Sequence, residues 1–277
     1  MAIHAGRRWP LRCGPPAGNR FHVEHLLSEW ALLAAGAFVA GLVDAVVGGG
    51  GLIQIPLLLS VFPQAAIPVL FGTNKVAAVV GTSSACVRYA RAIQIPWKIA
   101  SWAAAAALVG SWFGAQTVAY LPKETMKPLV LLLLVAVGFY TFRRKDFGKL
   151  EGHSIPARFV VPGALLTGGV IGFYDGFFGP GTGSFLIFAF VRWFGFDFLK
   201  ASATAKFVNV ATNLSAIVFF ASHDGILWSL AAVMAVANLS GALVGSHLAL
   251  RHGNGFVRWL FLIVVSVLVL KFGWELL

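Results

Sequence analysis

Four ionisable side chains stand inside segments that are otherwise apolar: Asp44, Lys75, Asp175 and Lys206. A charge near the centre of a bilayer costs about 2.5–3.5 kcal/mol on insertion scales, so each of them needs a partner or a task. Two ammonium groups can neutralise an anion, and two carboxyls, Asp44 and Asp175, can carry the protons that couple a transport cycle. The competing reading is two Asp–Lys pairs that pin helices together. Small polar residues accompany the lysines. Thr73 and Asn74 precede Lys75, and Thr204 precedes Lys206. Asn209 and Asn213 follow Lys206 at intervals of three and four, which is one face of a helix. In the first half the same stripe is Lys75, Ala78 and Thr82, so the two halves offer unequal polarity. Hydroxyls and amides donate hydrogen bonds without adding negative charge, which suits an oxyanion. Plain interhelical hydrogen bonding is the alternative, and the stronger one for Ser83, Ser84 and Ser215.

Glycine-rich breaks follow each aspartate. The first is Gly48 to Gly51; the second is Gly179, Pro180, Gly181, Thr182 and Gly183. A glycine costs a helix about 1 kcal/mol relative to alanine, and proline removes a backbone donor. Unwound backbone at membrane depth is tolerated only where protein or a water-filled cavity covers it. A helix that restarts there points unpaired N–H groups into that cavity, so Gly50, Gly51, Gly181 and Thr182 are candidate anion-binding positions. Two breaks at matched positions point to a transport site; a kink or close packing through glycine is the plainer account.

The elements that must position these groups are membrane helices. Of the 277 residues 58% are hydrophobic and only 11% charged, against about 25% charged in a soluble domain. Apolar runs fall at about 29–47, 51–62, 66–88, 97–120 and 126–142, and again at 159–177, 182–194, 198–221, 226–250 and 256–276. Most approach the ~20 residues that span a bilayer as a helix. The formal charge of +11 resides in the links between runs, a topological pattern rather than a nucleic-acid surface. Residues 1–28 carry four arginines and three prolines and read as a disordered basic tail. A charged link, 143–158, separates 29–142 from 159–277.

These two parts align without a gap at an offset of 131 residues. Asp44 falls on Asp175, Lys75 on Lys206, Gly48 on Gly179 and Trp97 on Trp228. From Gly41 to Gly114 there are 19 identities in 74 positions, where chance in so apolar a composition gives about six. The fold expected is therefore all-α: a polytopic transmembrane helical bundle of two homologous halves with discontinuous helices. If each short piece only continues a broken helix, each half has four segments and the halves run parallel. With the short pieces counted as crossings, the reading favoured here, each half has five segments and the halves are inverted. The basic links around Arg88, Arg91 and Lys98, Arg192 and Lys200, and Arg251 and Arg258 then share the cytoplasmic side. Duplicated halves are the usual plan of secondary transporters.

Other features carry less chemistry. Gly110 with Gly114, and Gly241 with Gly245, have the spacing of helix-packing motifs. Tryptophans near segment ends read as interfacial anchors. Cys13 and Cys86 are too differently placed for a disulfide. His247, inside an apolar run, reads as a packed, hydrogen-bonded histidine. No metal-ligand spacing or cofactor motif is present. A metal-cation transporter using Asp44 and Asp175 is the runner-up, disfavoured because their neighbours are Lys, Thr and Asn rather than a ligand cluster. An intramembrane enzyme lacks a nucleophile-and-base arrangement in the sequence. The partners implied are a small anion and the lipid bilayer, not nucleic acid; a homo-oligomer is allowed but not demanded.

The stretch Gly41-Leu42-Val43-Asp44 with Gly48 to Gly51, followed by Gly72-Thr73-Asn74-Lys75, resembles the first-half signature of the TauE/SafE family. Gly172-Phe173-Tyr174-Asp175 with Gly179 to Gly183, then Ala201 to Lys206 with Asn209 and Asn213, resembles the second-half signature. The likeness covers nearly the whole chain from about residue 30. It implies a multi-pass carrier of the bacterial inner membrane for sulfur-containing anions such as sulfite or organosulfonates, usually an exporter driven by a proton or ion gradient. It also implies that Asp44, Lys75, Asp175 and Lys206 lie in the transport region.

Overall fold

The computed structural model describes residues 27–120, 155–223 and 225–274, and among them it is helical without strands. The expected disordered tail up to Leu26, the run at 126–142 and most of the charged link 143–158 lie outside the described residues. The helices are α1 (Leu27–Val47), α2 (Gly51–Val61), α3 (Ile67–Ala92), α4 (Trp97–Tyr120), α5 (Val160–Phe177), α6 (Thr182–Phe194), α7 (Phe198–His223) and α8 (Trp228–Trp274). A short 3-10 turn, Ala157–Phe159, leads into α5. Helix α8 breaks at Gly253, whose φ of 72° is left-handed. Among the described residues four spans are long and apolar enough to cross a membrane: Ser28–Val47, Ala157–Phe177, Phe198–His223 and Trp228–Gly253. Three of them expose Leu166, Val170, Val218 and Val236, and α4 exposes Val109, an apolar surface of the kind that marks contact with a membrane.

Residue contacts fix the helix directions. Along α3 and α8, Leu227 N–H donates to Thr73 at 3.1 Å, Gly81 meets Asn238, and Arg88 donates to the Leu243 carbonyl at 3.1 Å, so these helices run the same way. Helix α1 joins them: Phe38 and Leu42 back Gly241 and Gly245 of α8, and Asp44 accepts from Thr82 of α3. Helices α4 and α5 run together, with Ala103, Ala107 and Ser111 against Gly168, Gly172 and Gly176. Trp97 and Trp112 of α4 stack edge-on to Phe207 and Phe219 of α7, which adds α7 to that group. The groups are opposed, because Gly72 of α3 meets Phe220 of α7 while Thr82 and Lys206 reach the same Asp44. Helices that the 131-residue offset aligns, α1 with α5 and α3 with α7, thus point in opposite directions.

The short helices turn back. Gly50 packs beside Ala40 and Asp44 whereas Leu57 packs on Gly36, so α2 runs antiparallel to α1. Ile155 N–H donates to the Trp193 carbonyl at 2.9 Å, so α6 likewise returns to the start of α5. Each break is therefore the tip of a hairpin that enters from one face and stops inside the bundle. With these directions, Arg88, Arg91, Lys98, Arg158, Arg192, Lys200 and Arg251 all fall at one end of the bundle, the cytoplasmic end by the positive-inside rule. His247 departs from expectation: it is exposed rather than packed. It lies less than two turns before the Gly253 break, near Arg251 and His252, where an imidazole can reach the interface.

Glycine makes the two long seams possible. Built side chains on Gly168 or Gly172 would overlap the α4 backbone, and on Gly241 or Gly245 the α1 backbone. Gly169, by contrast, has only the Ala106 Cβ at 4.0 Å. Gly168→Ala should therefore lower the melting temperature of the detergent-purified protein, costing about 1–3 kcal/mol by overpacking. Gly169→Ala, one residue away, should leave it equal or raise it, since alanine is the better helix former.

Candidate functional site

The two hairpin tips meet. Gly48 has a φ of 77°, Gly179 of 93° and Gly181 of 82°, conformations that strain any residue with a Cβ. The Gly48 backbone lies directly against that of Gly183, and Gly51 lies against Pro180. Ser184 stitches the tips together: its N–H donates to Gly48 O at 3.2 Å and its hydroxyl to Val47 O at 2.8 Å. Tyr174 O–H donates to Pro180 O at 2.6 Å, and Thr182 donates to Gly179 O at 2.7 Å, which hold the second tip. The N-termini of α2 and α6 are not bare. Gly50 N–H donates to the Asp44 carboxylate at 3.4 Å, and Gly48 O occupies Ser184 N–H.

Asp44 and Asp175 stand in the last turns of α1 and α5, and each receives a lysine from the other half. Lys75 Nζ of α3 lies 2.7 Å from Asp175 Oδ2 of α5, with both side chains almost wholly buried. The approach is an ion pair rather than a regular hydrogen bond, since Asp175 Oδ2 takes none. Lys206 Nζ of α7 lies 3.2 Å from Asp44 Oδ2 of α1 and also donates to the Asp44 carbonyl. This second pair is more open, with the Asp44 side chain 15% exposed and Lys206 1%. Asp44 accepts in addition from Thr82 Oγ1 at 3.0 Å. Gly72 packs on Phe220 while Thr82 and Lys206 share Asp44, so the antiparallel passage of α3 past α7 carries the two lysines apart along the bundle. The four charges thus form two crossed pairs at two depths, not one four-charge centre.

The remaining candidates divide. Asn74, Asn209 and Asn213 are buried near the lysines, and Asn213 donates to Asn209 at 3.2 Å. Asn74 Oδ1 has no donor among the described residues. Thr73 and Thr204 donate to carbonyls of their own helices, Val69 and Lys200. Thr73 also accepts from Leu227 N–H, fastening α3 to the start of α8. The residue aligned with Leu227 is Pro96, which has no N–H, so Thr204 lacks the corresponding partner. Gly50, Gly51, Gly181 and Thr182 all lie at the touching tips. Tyr89, which was not a candidate, is fully buried and donates to Ala45 O at 3.0 Å, bracing the Asp44 turn. Among the described residues no three His, Cys, Asp or Glu side chains gather as metal ligands.

The arrangement sets two buried ammonium groups against carboxylates where opposed hairpins meet, and a carboxylate so placed can give way to another anion. Comparison with known proteins agrees with a membrane carrier. A family model described as sulfite exporter TauE/SafE matches residues 33–272. A probable membrane transporter protein, ORF9, of Sinorhizobium sp is 36% identical over 249 residues, covering 89% of this chain and 92% of that protein. The probable membrane transporter protein YfcA of Escherichia coli K12 is 34% identical over 235 residues, 85% of this chain and 86% of that one. A probable membrane transporter protein of Haemophilus influenzae is 34% identical over 250 residues, 88% and 94% of the two chains. No solved structure matches. The chain belongs to the sulfite exporter TauE/SafE family and is a multi-pass bacterial membrane transporter.

Proposed function

We propose that the protein is a secondary active transporter that exports a small sulfur-containing oxyanion, sulfite or an organosulfonate, by alternating access coupled to an ion gradient. The observation that carries this reading is the crossed pairing of Lys206 with Asp44 and Lys75 with Asp175 at the meeting point of two broken helices. A buried ammonium needs a counter-charge. At Lys206 that counter-charge is either the Asp44 carboxylate or a bound oxyanion, so the two alternate, and release of the anion outside returns Lys206 to Asp44. Thr82, Asn209 and Asn213 supply donors without negative charge.

The two halves are read as inverted copies, so that each hairpin tip is the gate for one face. The substrate class rests on the family's description as a sulfite exporter. In proteoliposomes, Lys206→Met should reduce sulfite movement to the level of protein-free vesicles while the variant still inserts and elutes as the wild type. Sulfite movement at the wild-type rate by this variant would refute the reading.

A further inference from the structure

The two ion pairs sit in chemically different surroundings, and the difference singles out one of them. Gln54 of α2 is 1% exposed and Asn238 of α8 is 2% exposed. Asn238 Nδ2 donates to Gln54 Oε1 at 3.4 Å. Gln54 Nε2, with two N–H groups, has no acceptor among the described residues. Gln54 lies one helical turn beyond Gly50, the residue whose N–H binds the Asp44 carboxylate. The Asn238 carboxamide lies against Gly81, the neighbour of Thr82, whose hydroxyl donates to the Asp44 carboxylate, so the amide pair borders the Asp44 side of the site.

Space for the amides has been made deliberately. Gly41 of α1 backs the Asn238 main chain, and a side chain on Gly81 of α3 would overlap the Asn238 carboxamide. At the offset of 131 residues the corresponding positions are Phe185 for Gln54, Ala107 for Asn238 and Thr212 for Gly81. Thus the Asp175–Lys75 pair has no equivalent amides. Instead Phe185 stacks edge-on to Tyr174, which in turn packs on Phe178. Aromatic rings thus stand in the second half where the first half places the Gln54–Asn238 pair.

We infer that Gln54, held by Asn238, is a specificity-determining residue of the Asp44–Lys206 site, giving neutral N–H donors to the oxyanion, while the Lys75–Asp175 pair is a dry lock that takes no substrate. The inference rests on the anion-transport reading above and assigns the substrate to one of its two pairs. A buried amide with unpaired donors costs stability in the empty protein, and an oxyanion is the partner that removes the cost. Asn238 is a positioning residue: it accounts for the Gln54 carbonyl and turns the NH2 group away.

The test is the dissociation constant for sulfite, read as ligand-dependent thermal stabilisation of the purified full chain, together with the melting temperature without ligand. Gln54→Leu should weaken sulfite binding about tenfold or more, as expected for a lost hydrogen bond to a charged group, and leave the ligand-free melting temperature equal or higher. Gln54→Glu, which places a negative charge beside the anion, should weaken it further. Asn238→Ala should weaken binding less than Gln54→Leu does. If Gln54→Leu binds sulfite with the wild-type constant while Lys206→Met has lost it, the assignment of Gln54 is wrong and the anion site stands. A fall in ligand-free melting temperature with unchanged affinity would make the amide pair purely structural. If sulfite and organosulfonates fail to stabilise the wild type, both readings fall together.

Discussion

Asp175→Asn should be among the most damaging single substitutions in the protein, lowering stability by about 3–5 kcal/mol, because it strands the Lys75 ammonium inside the bundle. Lys75 and Asp175 are 3% and 2% exposed, so no solvent compensates. The informative variant is the double one, Lys75→Met with Asp175→Leu. Apolar residues of similar volume often replace a buried ion pair at no cost, so the melting temperature should return close to that of the wild type. If the pair were only a pin, transport would return with it. A lock that must open and close needs its charges, and the double variant should stay folded and inactive. Chemical melting in detergent and sulfite flux in proteoliposomes, measured on the same preparations, separate the two.

The second large effect belongs to the hairpin tips. Gly48 combines a left-handed φ of 77° with a main chain pressed on Gly183. Gly48→Ala therefore meets two penalties at once. The conformation costs about 1 kcal/mol or more, and the Cβ would overlap backbone, which cannot rotate away as a side chain can. Ser184 N–H would lose Gly48 O as the tips part. Transport should be abolished and the melting temperature should drop by more than for Gly49→Ala, whose Cβ would find its nearest neighbours, Leu52 and Val43, at 3.7 Å. Equal effects at the two positions would show that tip contact is unimportant.

Much of this plan is legible in the chain. The Gly48 to Gly51 and Gly179 to Gly183 runs break helices for reasons local to the backbone, and α1 ends at Val47 and α5 at Phe177 accordingly. The charges inside apolar runs stand out because membrane insertion penalises them. Two things were not legible. Asp44 and Lys75 are 31 residues apart in the chain, and so are Asp175 and Lys206, a spacing equally compatible with each half closing its own pair. Only the antiparallel passage of α3 past α7 brings Lys206 to Asp44 and Lys75 to Asp175. The engagement of Thr73 and Thr204 with carbonyls was hidden as well, because a helical threonine bonds back or outward according to its neighbours. Gln54 carried a signal, a lone amide in the otherwise apolar helix α2, but one without charge to set it apart. His247 misled because an apolar run does not say which face of the helix meets lipid.

The central claim is that a sulfur oxyanion binds where the hairpin tips meet and replaces a carboxylate as counter-charge to lysine. The most direct measurement is thermal stabilisation of the purified protein by sulfite, sulfoacetate, taurine, sulfate, nickel and cobalt, in the wild type, Lys206→Met and Lys75→Met. A ligand that binds only the folded form raises stability by about 2.7 kcal/mol at a hundred times its dissociation constant. Sulfite or an organosulfonate should stabilise the wild type and have no such effect on Lys206→Met. Stabilisation by the metals alone, or by sulfite equally in wild type and Lys206→Met, would contradict it.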